Sequence, residues 1–366
     1  LRTSIIMPQP YPMPRPAKRV MVKPALGAYV FARHRRHAMQ TIPFGRTGRM
    51  TTRLGFGAWA IGGTWGEVSL GDAKAALHAA LDAGMTFIDT ADVYGDGRSE
   101  RIIREVLAER GGERPYVATK AGRRLSPHVA EAYTGAALEG FIDRSLANLG
   151  VERLDLVQLH CPPTPVFSNA EVFAALEGMK RKGKIADYGV SVETVEEARA
   201  AIRQPGVVSV QIIYNLFRMK PAEVFFPEAK AANVAVIARV PLASGLLTGK
   251  MSKDSAFAAD DHRSFNRNGE AFDKGETFSG VPFDVALEAV EELRALVPAG
   301  ATMAAFALRW ILMEDAVTVV IPGAKSPEQA RGNAAAADLP ALSAEVMQAA
   351  RDVYDRRIRP HVHGSW

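Results

Sequence analysis

The chain of 366 residues is 48% hydrophobic and 23% charged, with one cysteine and a formal net charge of +5, an ordinary balance for a soluble chain long enough for one large domain. The positive charge sits at one end: residues 1–38 hold eight Lys or Arg and no acid, leaving 37 basic against 40 acidic groups over 39–366, so the body offers no nucleic-acid surface. Cys161 alone excludes an intramolecular disulfide framework and fits a reducing, cytoplasmic setting, and no uncharged apolar stretch is long enough to span a bilayer.

Residues 1–38 carry six prolines and end in the basic run Phe31-Ala32-Arg33-His34-Arg35-Arg36-His37. They are expected to be a disordered extension or a start-site artefact, with the natural start at Met39. A targeting peptide is the alternative, because arginine without acids is typical of transit sequences. From Met39 onward the text is structured. Gln40–Phe44 and Met50–Arg53 flank the turn Gly45–Gly48 and predict a β-hairpin.

An alternation then begins. Short apolar runs occur at Leu54–Ala58, Thr86–Asp89, Tyr116–Lys120 and Leu154–His160, then at Ile185–Ser191, Val208–Tyr214, Val234–Val240 and Val317–Pro322. Helical patterns separate them at Asp72–Ala83, Ser99–Arg110, Thr134–Leu149, Asn169–Lys182, Thr194–Ile202, Pro221–Ala232, Ala301–Met313 and Pro327–Ala336. Eight of each predict an α/β fold, a (β/α)₈ TIM barrel over residues 39–366, with a doubly wound sheet as the alternative. Pro282–Leu296 and Ser343–Arg356 are surplus helices, and residues 243–280 after the seventh run form one long loop of the kind that is usually a functional lid or a disordered segment.

The second, third and fourth runs end in Asp89, Lys120 and His160, and Tyr94 follows Asp89 closely. In a barrel those ends converge on the face that carries active sites. A carboxylate, a phenol, an ammonium and an imidazole at one rim suit carbonyl reduction, in which a proton must reach an alkoxide as hydride arrives. Tyrosine alone, with a pKa of about 10, is a poor donor at neutral pH. Lys120 is expected to lower that pKa while Asp89 holds the ammonium. The hydride must come from a cofactor.

Asp89-Thr90-Ala91-Asp92-Val93-Tyr94-Gly95 followed by Gly97 and Ser99-Glu100 resembles the signature of the aldo-keto reductase superfamily. Ala118-Thr119-Lys120, Leu156-Val157-Gln158-Leu159-His160, Gly189-Val190-Ser191 and Ile321-Pro322-Gly323 follow in the family order, and the likeness runs from about Met39 to Ala336. It implies a tetrad of Asp89, Tyr94, Lys120 and His160 with Tyr94 as proton donor, acting on a small aldehyde, ketone or alcohol. It also implies a nicotinamide cofactor, usually NADPH. Ser191 and Gln211 would meet the nicotinamide amide, and Leu242, Ser244, Leu246 and Lys250 the pyrophosphate. Gly323, Lys325, Ser326, Gln329 and Asn333 would hold the adenosine end. Lys325 and Ser326 before the helix at Pro327 favour NADPH over NADH, since cation, hydroxyl and helix amides suit a 2′-phosphate. Two positions depart from the family: Val192 replaces an asparagine, and Arg239 replaces an aromatic residue that stacks on the nicotinamide, a task a guanidinium plane also suits.

Plainer readings stand beside these. Asp89 and Lys120 alone would suit a structural ion pair. Leu54-Gly55-Phe56-Gly57 falls short of a dinucleotide fingerprint because the later glycines are out of register. Trp59 and Trp65 would line a substrate pocket or simply pack. No metal site is expected: His160 and Cys161 should point to opposite sides of a strand, and His361 and His363 read as a flexible tail. The other functional class kept open is a regulatory or redox-sensing subunit that binds NADPH and turns over slowly, resembling channel-associated relatives. Oligomeric state has no signature in the sequence.

Overall fold

The computed structural model describes residues 39–63 and 65–366, and the basic stretch over 1–38 lies outside them. Two short strands, β1 (Thr41–Pro43) and β2 (Met50–Thr52), pair antiparallel with Thr41 opposite Thr52. This is the predicted hairpin. It closes one end of the barrel: Phe44, fully buried, packs its ring 5.6 Å from Phe87 and 5.2 Å from Tyr116.

Eight parallel strands follow, β3 (Phe56–Gly57), β4 (Phe87–Asp89), β5 (Tyr116–Ala121) and β6 (Leu154–His160), then β7 (Ile185–Ser191), β8 (Val207–Ile213), β9 (Ala235–Arg239) and β10 (Val317–Val320), each hydrogen-bonded to the next in sequence except across the pair of ends. The ends join directly. Gly55 N donates to Val320 O at 2.9 Å, Gly57 N to Pro322 O at 3.0 Å, and Val320 N to Arg53 O at 2.9 Å. The fold is therefore a (β/α)₈ barrel rather than a doubly wound sheet. β3 is shorter than its apolar run because that run divides its hydrogen bonds between β4 and β10.

Alternation along the strands separates two interiors. Phe87, Tyr116, Ala118, Leu156, Ala235, Ile237, Val319 and Ile321 fill the inside of the barrel with Phe44. Their neighbours Ile88, Val117, Val157, Val236 and Val320 face the helical layer. Continuing the inward set upward gives Asp89, Lys120, His160 and Arg239, all buried. Apolar residues thus occupy the lower layers, and polar ones crowd the C-terminal ends of the strands.

The helices start where hydroxyl and amide side chains cap them. Thr134, Asn169, Thr302, Ser326 and Ser343 each accept a bond from a first-turn amide, and Thr194 with Glu197 forms a full capping box. The first long helix is Leu70–Asp82, capped by Ser69, so it begins earlier than Asp72. The segment predicted as one helix over 221–232 is two, Lys220–Glu223 and Phe225–Ala231, broken at Val224 with φ −128° and ψ −51°. The loop over 243–280 is folded into short helical turns, among them His262–Phe265 and Lys274–Glu276. The surplus helices are Phe283–Arg294 and Ala344–Val353. The tail is ordered, contrary to expectation, because Ile358 and Val362 are buried and His363 bonds Tyr354 at 2.9 Å.

Phe44→Ala should open a cavity beneath the barrel core and cost about 3–5 kcal/mol. Urea unfolding at constant m-value measures that loss, and a change below about 1 kcal/mol would show that the plug is not under packing load.

Candidate active site

Burying an ammonium is expensive unless it is paired and fully hydrogen-bonded. Lys120, on β5, is 1% exposed. Its Nζ donates to Asp89 Oδ1 at 2.5 Å, to Thr90 O at 2.9 Å and to the Tyr94 hydroxyl at 3.1 Å. All three protons of the ammonium are used. Asp89 Oδ2 in turn accepts from Gln158 Nε2 at 3.1 Å and Gln211 Nε2 at 2.7 Å. His160 stands edge-on to Tyr94 with ring centres 5.9 Å apart. The four residues singled out in the sequence therefore form one cluster at the barrel mouth.

Charge states follow from burial and neighbours. Burial pulls the Lys120 pKa down, but Asp89 and Tyr94 together more than offset this and the group is held above its ordinary value. The Tyr94 phenol moves the other way from expectation. Burial raises its pKa, and the opposing pull of Lys120 is partly cancelled by Asp89. Tyr94 is thus a protonated phenol. Burial, then the charges of Arg123, Lys120 and Arg239, push His160 well below its usual range, so the imidazole is neutral. Its Nδ1 has no hydrogen-bond partner.

Glycine brings the first loop onto Tyr94. A Cβ on Gly62 would lie 2.7 Å from the Tyr94 Cβ, and Gly95, at φ +60°, has no room for one against the Gly62 carbonyl. Arg98 then ties that loop down through Ile61 O and Val68 O, each at 2.6 Å. Trp59 stacks on Tyr94 with ring centres 6.0 Å apart and meets Trp65 edge-on at 5.4 Å. Both tryptophans therefore line the mouth. His262 and Phe272, from the 243–280 segment, complete the aromatic wall at 4.8 and 6.0 Å from Trp59.

The residues assigned to the cofactor are spread around the same rim. Ser191 Oγ lies 3.1 Å from Cys161 Sγ, and Cys161 has φ +44°. The strand alternation expected to send it away from His160 ends there. Arg239 donates to Glu193 Oε2 at 2.7 Å and to Val192 O at 3.0 Å, and its guanidinium is 3.7 Å from Glu276 Oε1. Arg123 bonds the same Glu276 oxygen at 3.0 Å. Two arginines and two glutamates thus form a charge-balanced quartet, with Arg239 and Glu276 buried and Arg123 and Glu193 half-buried. Cys161, Glu193 and Glu276 have metal-ligand spacing, but both carboxylates are already paired with guanidinium groups. Leu242 is half-buried, Leu246 is buried in the core, and Lys250 is exposed. The Ser244 hydroxyl, at φ +54°, donates to Glu276 O at 3.0 Å and accepts from Phe278 N at 3.1 Å. At the far end Lys325 Nζ bonds Trp65 O, Gln329 Oε1 accepts from Lys325 N at 2.8 Å, Ser326 caps its helix, and Asn333 donates to Gly323 O at 3.0 Å.

Gln158, Arg123, Glu193, Glu276, His262 and Phe272 were not foreseen. Gln158 carried a signal, since it alternates with His160 on one strand. The others depend on how the long segment folds. That segment is held from behind by Trp366, whose indole donates to Asp273 Oδ1 at 2.9 Å beneath the Arg218 guanidinium at 4.2 Å. A Cβ on Gly275 or Gly280 would come within 3.0 and 2.5 Å of that ring.

A (β/α)₈ barrel whose strand ends assemble Asp, Tyr, Lys and His defines a class of oxidoreductase. The chain belongs to the aldo/keto reductase family, whose family model matches residues 53–355. It is 32% identical over 290 residues to the aldo-keto reductase YhdN of Bacillus subtilis, spanning 77% of this chain and 84% of that protein. Among solved structures it is similar to the glycerol dehydrogenase AKR11B4 from Gluconobacter oxydans, with a TM-score of 0.70 at 32% identity, covering 87% and 96% of the two chains. It is also similar to an aldo-keto reductase from Klebsiella pneumoniae in complex with NADPH, with a TM-score of 0.64 at 25% identity, covering 86% and 95%.

One buried acid nearby gives a pH test. Asp92 is fully buried, neither of its oxygens has a hydrogen-bond partner, and burial followed by the charge of Glu100 pushes its pKa up to about 7. With the folded pKa above the unfolded value, stability is lost as pH rises from about 4 through about 7. Asp92→Asn should therefore gain a few kcal/mol at pH 8 and almost nothing at pH 4. Urea titrations at both pH values measure the difference, and an equal effect at each would refute the assignment.

Proposed function

We propose that this chain catalyses reversible, NADPH-dependent reduction of aldehydes or ketones to alcohols, with Tyr94 as the proton donor. The observation that carries the reading is Lys120 Nζ, which bonds Asp89 and the Tyr94 hydroxyl at once. A nicotinamide cofactor supplies the hydride when bound. Everything else falls to the chain. The neutral His160 hydrogen-bonds the carbonyl oxygen and fixes its orientation. As negative charge grows on that oxygen, Tyr94 gives up its proton. Lys120 then faces a phenolate at 3.1 Å, and Asp89 keeps the ammonium in register.

The rim has groups left over for a cofactor. Arg239 Nε and Glu193 Oε1 are a buried donor and acceptor without hydrogen-bond partners, chemistry that suits a primary carboxamide. Ser191 and Gln211 stand near them, although Gln211 now serves Asp89. Ala243 and Ser244, at φ +46° and +54°, turn the backbone beside Leu242, Leu246 and Lys250 where a pyrophosphate would run. Lys325 and the helix capped by Ser326 favour the 2′-phosphate of NADPH over NADH. The Klebsiella relative, solved with NADPH, supports the same choice.

Tyr94→Phe should lower carbonyl reduction by about 10²–10⁴ while NADPH still binds. Cofactor oxidation by absorbance and binding by fluorescence make the two measurements. Unchanged turnover would refute the mechanism. Very slow turnover of the unmodified chain across a carbonyl panel, with NADPH retained, would instead favour a regulatory subunit.

A further inference from the structure

The segment over 243–280 leaves and rejoins the barrel through left-handed backbone. Val240, Ala243 and Ser244 have φ of +51°, +46° and +54° at its start, and Phe278 and Ser279 have +53° and +58° at its end. None of the five is glycine, and such conformations persist only where the surrounding structure over-determines them. Ser244 pins the two ends together: its hydroxyl donates to Glu276 O at 3.0 Å and accepts from Phe278 N at 3.1 Å. The remaining support comes from outside the segment. Arg218, 4% exposed, donates to Ser279 O at 3.5 Å and to Glu193 O at 3.4 Å. Its guanidinium lies 4.2 Å from the centre of the Trp366 ring. The Trp366 indole donates to Asp273 Oδ1 at 2.9 Å and fills the space beside Gly275 and Gly280. Trp366 thus grips the segment on both sides of Glu276.

We propose that Trp366 is a positioning residue for the nicotinamide cofactor, acting through Glu276 and Ser244. This rests on the reductase reading above, in which Arg239 Nε and Glu193 Oε1 are left over for the carboxamide. Two carboxylates hold the Arg239 guanidinium, Glu193 at 2.7 Å and Glu276 at 3.7 Å, so Nε stays where the carboxamide would meet it. Removing the indole empties the space beside Gly275 and Gly280 and takes a donor from Asp273. Phe278 and Ser279 are then free to relax toward ordinary dihedrals. Glu276 leaves Arg239, and Ser244 loses both backbone partners that fix the turn where the pyrophosphate would run. The bonds among Asp89, Tyr94 and Lys120 draw on none of these residues. The loss therefore falls on cofactor affinity and not on the proton step.

The test measures Kd by NADPH fluorescence, and kcat at saturating NADPH with the best aldehyde of a carbonyl panel, on the full chain. Trp366→Ala should raise the Kd roughly tenfold, the scale of coupling carried through a packed network, while kcat falls by less than about threefold. Trp366→Phe keeps an aromatic face under Arg218 and should bring the Kd back to within about threefold of the unmodified value. In a cycle with Glu276→Gln the two changes should be non-additive, Trp366→Ala adding less than about threefold to the Kd of the glutamine variant. A tryptophan serving general stability alone would add its full factor in either background. Should Trp366→Ala fail to fold, Asp273→Ala removes the acceptor of the indole, keeps the ring, and should itself raise the Kd about threefold. An unchanged Kd, a kcat loss larger than the Kd change, or full additivity with Glu276→Gln would each overturn the proposal and leave the reductase reading intact. Failure of the unmodified chain to bind NADPH would instead remove the reading on which the proposal rests.

Discussion

The ammonium of Lys120 is the group to which the rest of the barrel mouth answers. An unpaired buried charge would cost several kcal/mol, and removing one partner of such a pair typically costs about 3–5 kcal/mol. Asp89 therefore has to be at the end of β4, one strand away, and its other oxygen has to be satisfied by amides from β6 and β8, Gln158 and Gln211. Four strands are committed to one charge. The same geometry leaves the third proton of the ammonium pointing at Tyr94. The bond that satisfies the buried ammonium is also the one the proposed proton transfer would use, so the Asp89–Lys120 ion pair stands as structure and the chemistry rests on the proposal.

Why this layer sits at the top of the barrel follows from the hairpin at the bottom. Phe44, Phe87 and Tyr116 pack together and exclude water from below. Polar side chains on the inward alternation can then be buried only where other strands bring partners or where a ligand arrives. The segment over 243–280 completes the enclosure from above, bringing Glu276 to Arg123 and Arg239. Its position is fixed twice, by that quartet in front and by Trp366 and Arg218 behind.

This division explains what could be read from the sequence. Asp89, Lys120 and His160 were legible because each is a polar residue ending an apolar run, an arrangement that local physics disfavours without a partner. The eight-fold alternation and the hairpin were legible for similarly local reasons. Glu276 was not. It lies in a segment rich in small polar residues whose path depends on left-handed conformations at Val240, Ala243, Ser244, Phe278 and Ser279, which no periodicity announces. The partners of Arg239 were not legible for the same reason, since Glu193 and Glu276 come from two distant segments. The break at Val224 and the ordered residues at 358–363 likewise reflect packing that propensity does not encode.

The direction of the Tyr94 shift shows where local charge arguments stop. An ammonium 3.1 Å from a phenol favours phenolate, and on that ground alone the pKa would fall. Burial acts against every charged form, however, and Asp89, which is needed to keep Lys120 ionised, repels a phenolate as well. The net result is a phenol that keeps its proton. That is the state required of a donor to an alkoxide, and the barrier to releasing the proton falls as the substrate oxygen becomes anionic. Alcohol oxidation needs the opposite state, a phenolate ready to accept. On the proposed mechanism the protonated phenol suits carbonyl reduction near neutral pH, and alcohol oxidation through the same residue calls for a higher pH.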